Sequence, residues 1–150
     1  MTEAATRTRA VLLEDDERRL VTMRALLTEH WPELELIHFD NAPQFIDWLP
    51  GGVASARVIL LDHDLGPSRP LPSGERFEPG DGRDVTRVLA QLQPGCPVMI
   101  HSTNGLAVPT MIEHLEGAGW ITRRVVPYDD LEWIEETWLP RLSALLRESG

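Results

Sequence analysis

Three short stretches carry side chains able to do polar chemistry: Glu14-Asp15-Asp16-Glu17, Asp62-His63-Asp64 and His101-Ser102-Thr103-Asn104. Each follows directly on an apolar run, at residues 10–13, 58–61 and 98–100. Carboxylates brought together repel one another, so they either take up protons or recruit a cation. Oxygen donors from aspartate favour a hard ion, Mg2+ ahead of Ca2+, that keeps several waters and engages a phosphate. Asp15, Asp16, Asp62 and Asp64 are therefore the candidate metal ligands. His63 and His101 are the candidate acid and base, because imidazole titrates near neutrality and carries protons while a phosphoester opens. Ser102 and Asn104 would donate hydrogen bonds to phosphate oxygens. The plain alternative for residues 14–17 is a solvated charge run suited to the first turn of a helix. For a single histidine it is a structural hydrogen bond. His30, His38 and His114 fall in helical or edge-strand contexts and are assigned no chemistry.

The elements that would position these groups are readable from periodicity. Five apolar runs, residues 10–13, 34–39, 58–61, 98–100 and 121–126, alternate with five segments of helical spacing. That alternation predicts an α/β fold: a doubly wound five-stranded parallel sheet with helices on both faces. Ligands bind such sheets at the carboxyl ends of the strands, where the three polar stretches lie. The helical stripes are Leu20, Met23 and Leu27; Phe45, Trp48 and Leu49, capped by Asp40 or Asn41; and Val85, Val88, Leu89 and Leu92. A fourth helix spans 108–115 and stops at Gly117 and Gly119. The fifth carries Leu131, Ile134, Trp138, Leu142 and Leu145, with Pro140 as a kink or break. Residues 66–80, rich in proline and glycine, read as a long loop. Arg69 and Arg76 within it, and Arg83 beside it, are available to offset acidic charge toward an incoming anion.

Composition bounds the partners. A chain of 150 residues suits one domain, taken as 10–146 behind a disordered polar tail at 1–9. With 14 basic and 24 acidic residues the formal charge is -10. Such a surface repels phosphate backbones, which excludes duplex DNA and leaves a phosphate-bearing small molecule or an RNA end. The single cysteine, Cys96, reads as a small buried residue. No apolar stretch resembles a signal peptide or a membrane span, so a cytoplasmic location is expected. Helical spacing places Trp138 in the core and leaves Trp133 open between core and interface. Nothing here specifies an oligomeric state.

At this point a family resemblance emerges. Val11-Leu12-Leu13-Glu14-Asp15-Asp16-Glu17 resembles the first strand and acidic pair of response-regulator receiver domains, and Val58-Ile59-Leu60-Leu61-Asp62 resembles their third strand with its phosphoacceptor. Pro79-Gly80-Asp81-Gly82 looks like the turn before their third helix, and Ser102 falls where they have Ser or Thr. The resemblance implies the receiver, flavodoxin-like fold. It also implies Mg2+ on Asp15, Asp16 and Asp62, phosphoryl contact from Ser102, and a histidine kinase as partner if the chain is a stand-alone receiver phosphorylated on Asp62. Receivers carry a lysine before a proline at the end of the last strand; here the pair is Val126-Pro127, with Arg123 and Arg124 as candidate substitutes. Leu61-Asp62-His63-Asp64-Leu65-Gly66 and His101-Ser102-Thr103-Asn104 are similar to a distinct branch, the cyclic-phosphate-processing receiver domains. That branch implies metal-assisted processing of cyclic phosphate ends or nucleotides. The Asp62-x-Asp64 pair with Ser102 also resembles haloacid-dehalogenase-type phosphatases, whose pair follows the first strand rather than the third.

Overall fold

The apolar runs pair into one parallel sheet, described over residues 6–150 in a computed structural model. In chain order the strands are β1 (Arg9–Leu13), β2 (Glu35–Phe39), β3 (Ala56–Leu61), the short β4 (Arg69–Pro70) and β5 (Arg76–Phe77), β6 (Val98–His101) and β7 (Thr122–Val125). The helices are α1 (Glu17–His30), α2 (Ala42–Gly52), α3 (Gly82–Leu89), α4 (Ala107–Gly117) and α5 (Leu139–Ser149). The main sheet has the order β2-β1-β3-β6-β7, all neighbours parallel.

Strand alternation divides the core in two. Val11, Leu13, Ile59, Leu61, Val98 and Ile100 pack under α2, α3 and α4, against Phe45, Leu49, Val85, Leu89, Met111 and Leu115. Ala10, Leu12, Val58, Leu60 and Met99 pack under α1 and α5, against Leu20, Met23, Leu27, Leu142 and Leu145. Trp133 and Trp138 join this second layer fully buried, and Trp120 closes the first, so all three indoles are core. The helix starts follow side-chain caps: Asp16 for α1, Asn41 rather than Asp40 for α2, and a reciprocal Asp81–Asp84 capping box for α3.

Several boundaries differ from expectation. Residues 66–80 are not a plain loop: Arg69 pairs with Phe77 and Pro70 with Arg76 in an antiparallel hairpin. The turn between them is closed by Leu71 N–H donating to Glu75 O at 2.8 Å and Gly74 N–H to Leu71 O at 2.9 Å. An Asp64–Asp81 backbone bridge closes its base. Of the expected tail, residues 1–5 lie outside the described residues. Thr8, however, donates to Ser55 O and accepts from Glu35 N–H, and Arg9 already belongs to β1. At the other end α5 continues to Ser149. Pro140 does not break the last helix. A wide π turn at Ile134–Trp138 runs directly into it, with Leu139 N–H bonded to Ile134 O, so the irregularity falls just before the proline. Among the described residues no helix is long and apolar enough to cross a membrane. Cys96 is half-buried, and burial pushes its thiol up to about 12, which favours the protonated form.

Candidate metal and phosphoryl site

Because side chains alternate along a strand, the parity of a strand-end residue decides which face it serves. Ala10 and Leu12, Val58 and Leu60, and Met99 all face α1 and α5. The next residues of the same parity are Glu14, Asp62 and His101. Leu13 lies opposite Leu61, and Leu61 opposite Ile100, so one further step of register sets the three in a row across β1, β3 and β6. One ligand-type atom from each lies within 4.8 Å of the others, and all three side chains are buried. Glu14 is the member that residue-type reasoning left in a charge run; the parity of its strand was the signal for it.

The row is tightly bonded. His101 Nε2 donates to Glu14 Oε1 at 3.0 Å, and the other Glu14 oxygen accepts from Asp16 N–H at 3.1 Å. Burial alone would raise the Glu14 carboxyl, but the His101 hydrogen bond and charge, the Asp16 amide and Arg19 outweigh it and hold Glu14 down at about 2. Asp62 goes the other way: burial, then the Glu14 charge, push it up to about 9. Two adjacent carboxyls thus divide into an ionised and a protonated one. Asp15 is also raised, by burial and then by Glu14.

Above the row a cavity of about 400 Å³ opens at the carboxyl ends of the strands, lined by Asp15, Asp16, Arg19, Asp62, Asp64, Ser102, Thr103 and Pro127. It brings together all four aspartates expected as ligands, with Ser102. Their situations differ. Asp16 Oδ1 accepts from Arg19 N–H at 3.0 Å as the cap of α1, while Asp62 Oδ1 accepts from His63 N–H at 2.7 Å. Ser102 Oγ accepts from Asn104 N–H at 3.0 Å, leaving its own O–H free to donate. The approach of α3 to this edge requires glycine at 82, since a Cβ there would fall 2.4 Å from Asp62 O.

The two histidines are placed apart. His101 is the end member of the row, fully buried and stacked on Trp133 with ring centroids 5.8 Å apart. His63 has the opposite parity, beyond Ile59 and Leu61, and turns toward α3, its Nδ1 3.0 Å from Asp64 Oδ1 and its Nε2 3.6 Å from Asp81 Oδ2. The one-residue offset sends the rings to opposite faces, and neither lines the cavity. Asn104 is likewise engaged: its Oδ1 accepts from Leu106 and Ala107 N–H, opening α4, and its amide nitrogen faces His63 at 3.3 Å.

The expected cations are also elsewhere. Arg123 pairs with Glu148 and Arg124 donates to Ser102 O, while Val126 is half-exposed and Pro127 meets the cavity. Arg69 pairs with Asp40, Arg76 donates to Ser68 and Arg83 pairs with Asp81. Among the described residues the cation lining the cavity is Arg19. A second cleft of about 530 Å³, at the opposite edge of the sheet beside Arg7, Arg57 and Cys96, has no Asp or Glu side chain among the described residues of its wall.

The donor set fits a hard divalent ion. Asp15, Asp62 and Asp64 offer carboxylate oxygens around one space; burial first and the Glu14 charge second raise Asp15 and Asp62, and a bound cation would favour their ionised forms.

A family model described as the cyclic-phosphate processing receiver domain matches residues 10–117. Among solved structures, the phosphorylated cyanobacterial phytochrome response regulator RcpA is similar at a TM-score of 0.68 and 16% identity, over 97% of this chain and 98% of that one. A response-regulator receiver domain from Rhodospirillum rubrum gives 0.63 and 16%, over 95% of each chain. The response-regulator domain of Thermotoga maritima CheB gives 0.62 and 15%, over 94% of each. At such identities these likenesses establish the fold. Among curated proteins none matches the chain.

Proposed function

The chain belongs to the cyclic-phosphate processing receiver domains, and from that premise we propose that its cavity performs metal-assisted phosphoester chemistry on a cyclic phosphate. The observation that carries this reading is the meeting of Asp15, Asp16, Asp62 and Asp64 with Ser102 around one space large enough for an ion and a phosphoryl group. A bound divalent cation, Mg2+ by the chemistry of the donors, would polarise the phosphoryl oxygens and lower the pKa of a water. Asp62 and Asp15 would hold it, Asp62 giving up its proton as it does so. Asp16 and Asp64 complete the rim. Ser102 would donate its free O–H to a non-bridging oxygen. The histidines act at one remove: His101 keeps Glu14 ionised beneath the site, and His63 orients Asp64, which lines it.

Phosphorus NMR of a 2',3'-cyclic nucleotide with the protein and Mg2+ tests this. Ring opening is expected, with a loss on the order of 100-fold or more in Asp62→Asn, as for removal of a group that stabilises the transition state. No turnover with Mg2+, Mn2+ or Ca2+ would overturn the reading. A second reading, a receiver phosphorylated on Asp62 by a histidine kinase, is favoured by Asp62 and Ser102 sharing the cavity wall. It predicts acetyl phosphate labelling that vanishes in Asp62→Asn.

A further inference from the structure

We propose that Arg19, in the first turn of α1, receives the phosphoryl group at this cavity and makes the site selective for a phosphoryl oxyanion. The inference rests on the phosphoester reading above and names the residue that recognises the anion.

A cavity walled by four aspartates repels the anion it is meant to hold, so a positive group must face it. Arg19 is the cation in that wall among the described residues. Its neighbour Arg18 is already satisfied, with two hydrogen bonds to Asp130 at 3.1 and 2.6 Å on the exposed side of α1. Arg19 is not. Its nearest carboxylate contact is Nη1 to Glu14 Oε1 at 3.7 Å, longer than a charge-assisted hydrogen bond, and both Glu14 oxygens already have donors. No side-chain hydrogen bond of Arg19 is formed among the described residues, although about a quarter of the side chain is exposed.

The guanidinium is nevertheless oriented. Its Cζ lies 5.2 Å from the centre of the Trp133 indole, a ring that is fully buried and stacked on His101. Its backbone N–H is tied to Asp16 Oδ1, which anchors the turn that carries it. A planar fork held against a rigid ring, with unused N–H groups, suits two oxygens of a tetrahedral anion, which a lysine cannot match bidentately. The free Ser102 O–H faces the same space. Arg19 thus acts beside the metal ligands without being one.

Titration calorimetry on Arg19→Gln and Arg19→Lys tests the assignment, using Mg2+ alone and then inorganic phosphate at saturating Mg2+. Arg19→Gln is expected to bind Mg2+ as well as or better than wild type, because a repelling charge is gone, and to bind phosphate on the order of tenfold more weakly or worse. Arg19→Lys retains the charge next to Glu14, so it folds in any case, and its phosphate affinity falls between the two. Two further probes separate the sources of the phosphoryl group. Where phosphate binding is weakened, a parallel loss with beryllofluoride but not with a 2',3'-cyclic nucleotide assigns Arg19 to a phosphoryl group carried on Asp62, and a parallel loss with the cyclic nucleotide assigns it to a bound ester; either supports the proposal. Phosphate affinity within twofold of wild type in both variants, with Mg2+ binding intact, overturns it and leaves Arg19 as a counter-charge to Glu14. Failure of wild type itself to bind Mg2+ and phosphate overturns the parent reading and this one together, an outcome visible before any variant is made.

Discussion

Glu14 and Asp62 follow the paired Leu13 and Leu61 on neighbouring strands and are both buried, and the energetics of the site follow from that adjacency. Asp62, native value about 9 against an ordinary 3.8, binds its proton more tightly in the folded chain. Its contribution to stability is therefore present below 3.8 and lost as pH rises toward about 9. Glu14, native value about 2 against an ordinary 4.5, contributes stability above 4.5 that is lost as pH falls through about 2. Chelator-treated protein should accordingly melt at a higher temperature at pH 5 than at pH 8, and Mg2+ should flatten that slope by stabilising ionised Asp62. Asp62→Asn should abolish the slope, raise stability at neutral pH by about 1–2 kcal/mol, and remove the response to Mg2+. Thermal melts across pH with and without Mg2+ read all three effects; a melting temperature independent of pH would rule out the coupled pair.

Elements differ in how firmly they hold the site. The start of α3 is fixed by the Asp81–Asp84 box, and Asp81 also bridges Asp64 and faces His63, so one residue joins the helix, the base of the hairpin and a cavity ligand. The hairpin itself is exposed over most of its length, held by two residue pairs and by Arg69 over Phe77. Asp81→Ala should cost about 1 kcal/mol through the lost cap, whereas Arg69→Ala on the hairpin should change stability by less than about 0.5 kcal/mol. Urea unfolding of the two variants measures the contrast, and equal losses would show the hairpin to be part of the core. The hairpin escaped sequence reading because two-residue strands containing a proline are too short to show a period. The last helix was legible in its apolar stripe, and Pro140 signalled an irregularity that the structure realises as a π turn at Ile134–Trp138 just before it.

The whole molecule is an acidic shell around two apolar layers, with its polar chemistry gathered at one edge of the sheet. An excess of acidic over basic residues, 24 against 14, leaves Arg19 to counter a local field that the surface reinforces. On the proposed reading a single phosphate would meet one guanidinium and one bound cation, whereas a polyanion would meet the whole acidic surface. Fluorescence anisotropy with a labelled DNA duplex at physiological salt should give a Kd weaker than ~0.1 mM, with or without Mg2+. Tighter binding that weakens steeply with salt would overturn the expectation drawn from the net charge.

By itself the sequence determined the five strands, the helical stripes and the edge at which Asp15, Asp16, Asp62, Asp64 and Ser102 meet, because periodicity and strand-end position are properties of short local stretches. Strand parity even contained the separation of His63 from His101 and the alignment of Glu14 with Asp62. Tertiary structure alone decided which helices cover which face. That choice puts Arg19 of α1 and the buried Trp133 over the Glu14 row, and Asp81 of α3 against His63. It rests on register and packing between segments far apart in the chain, such as Glu14 and His101, which no local pattern encodes.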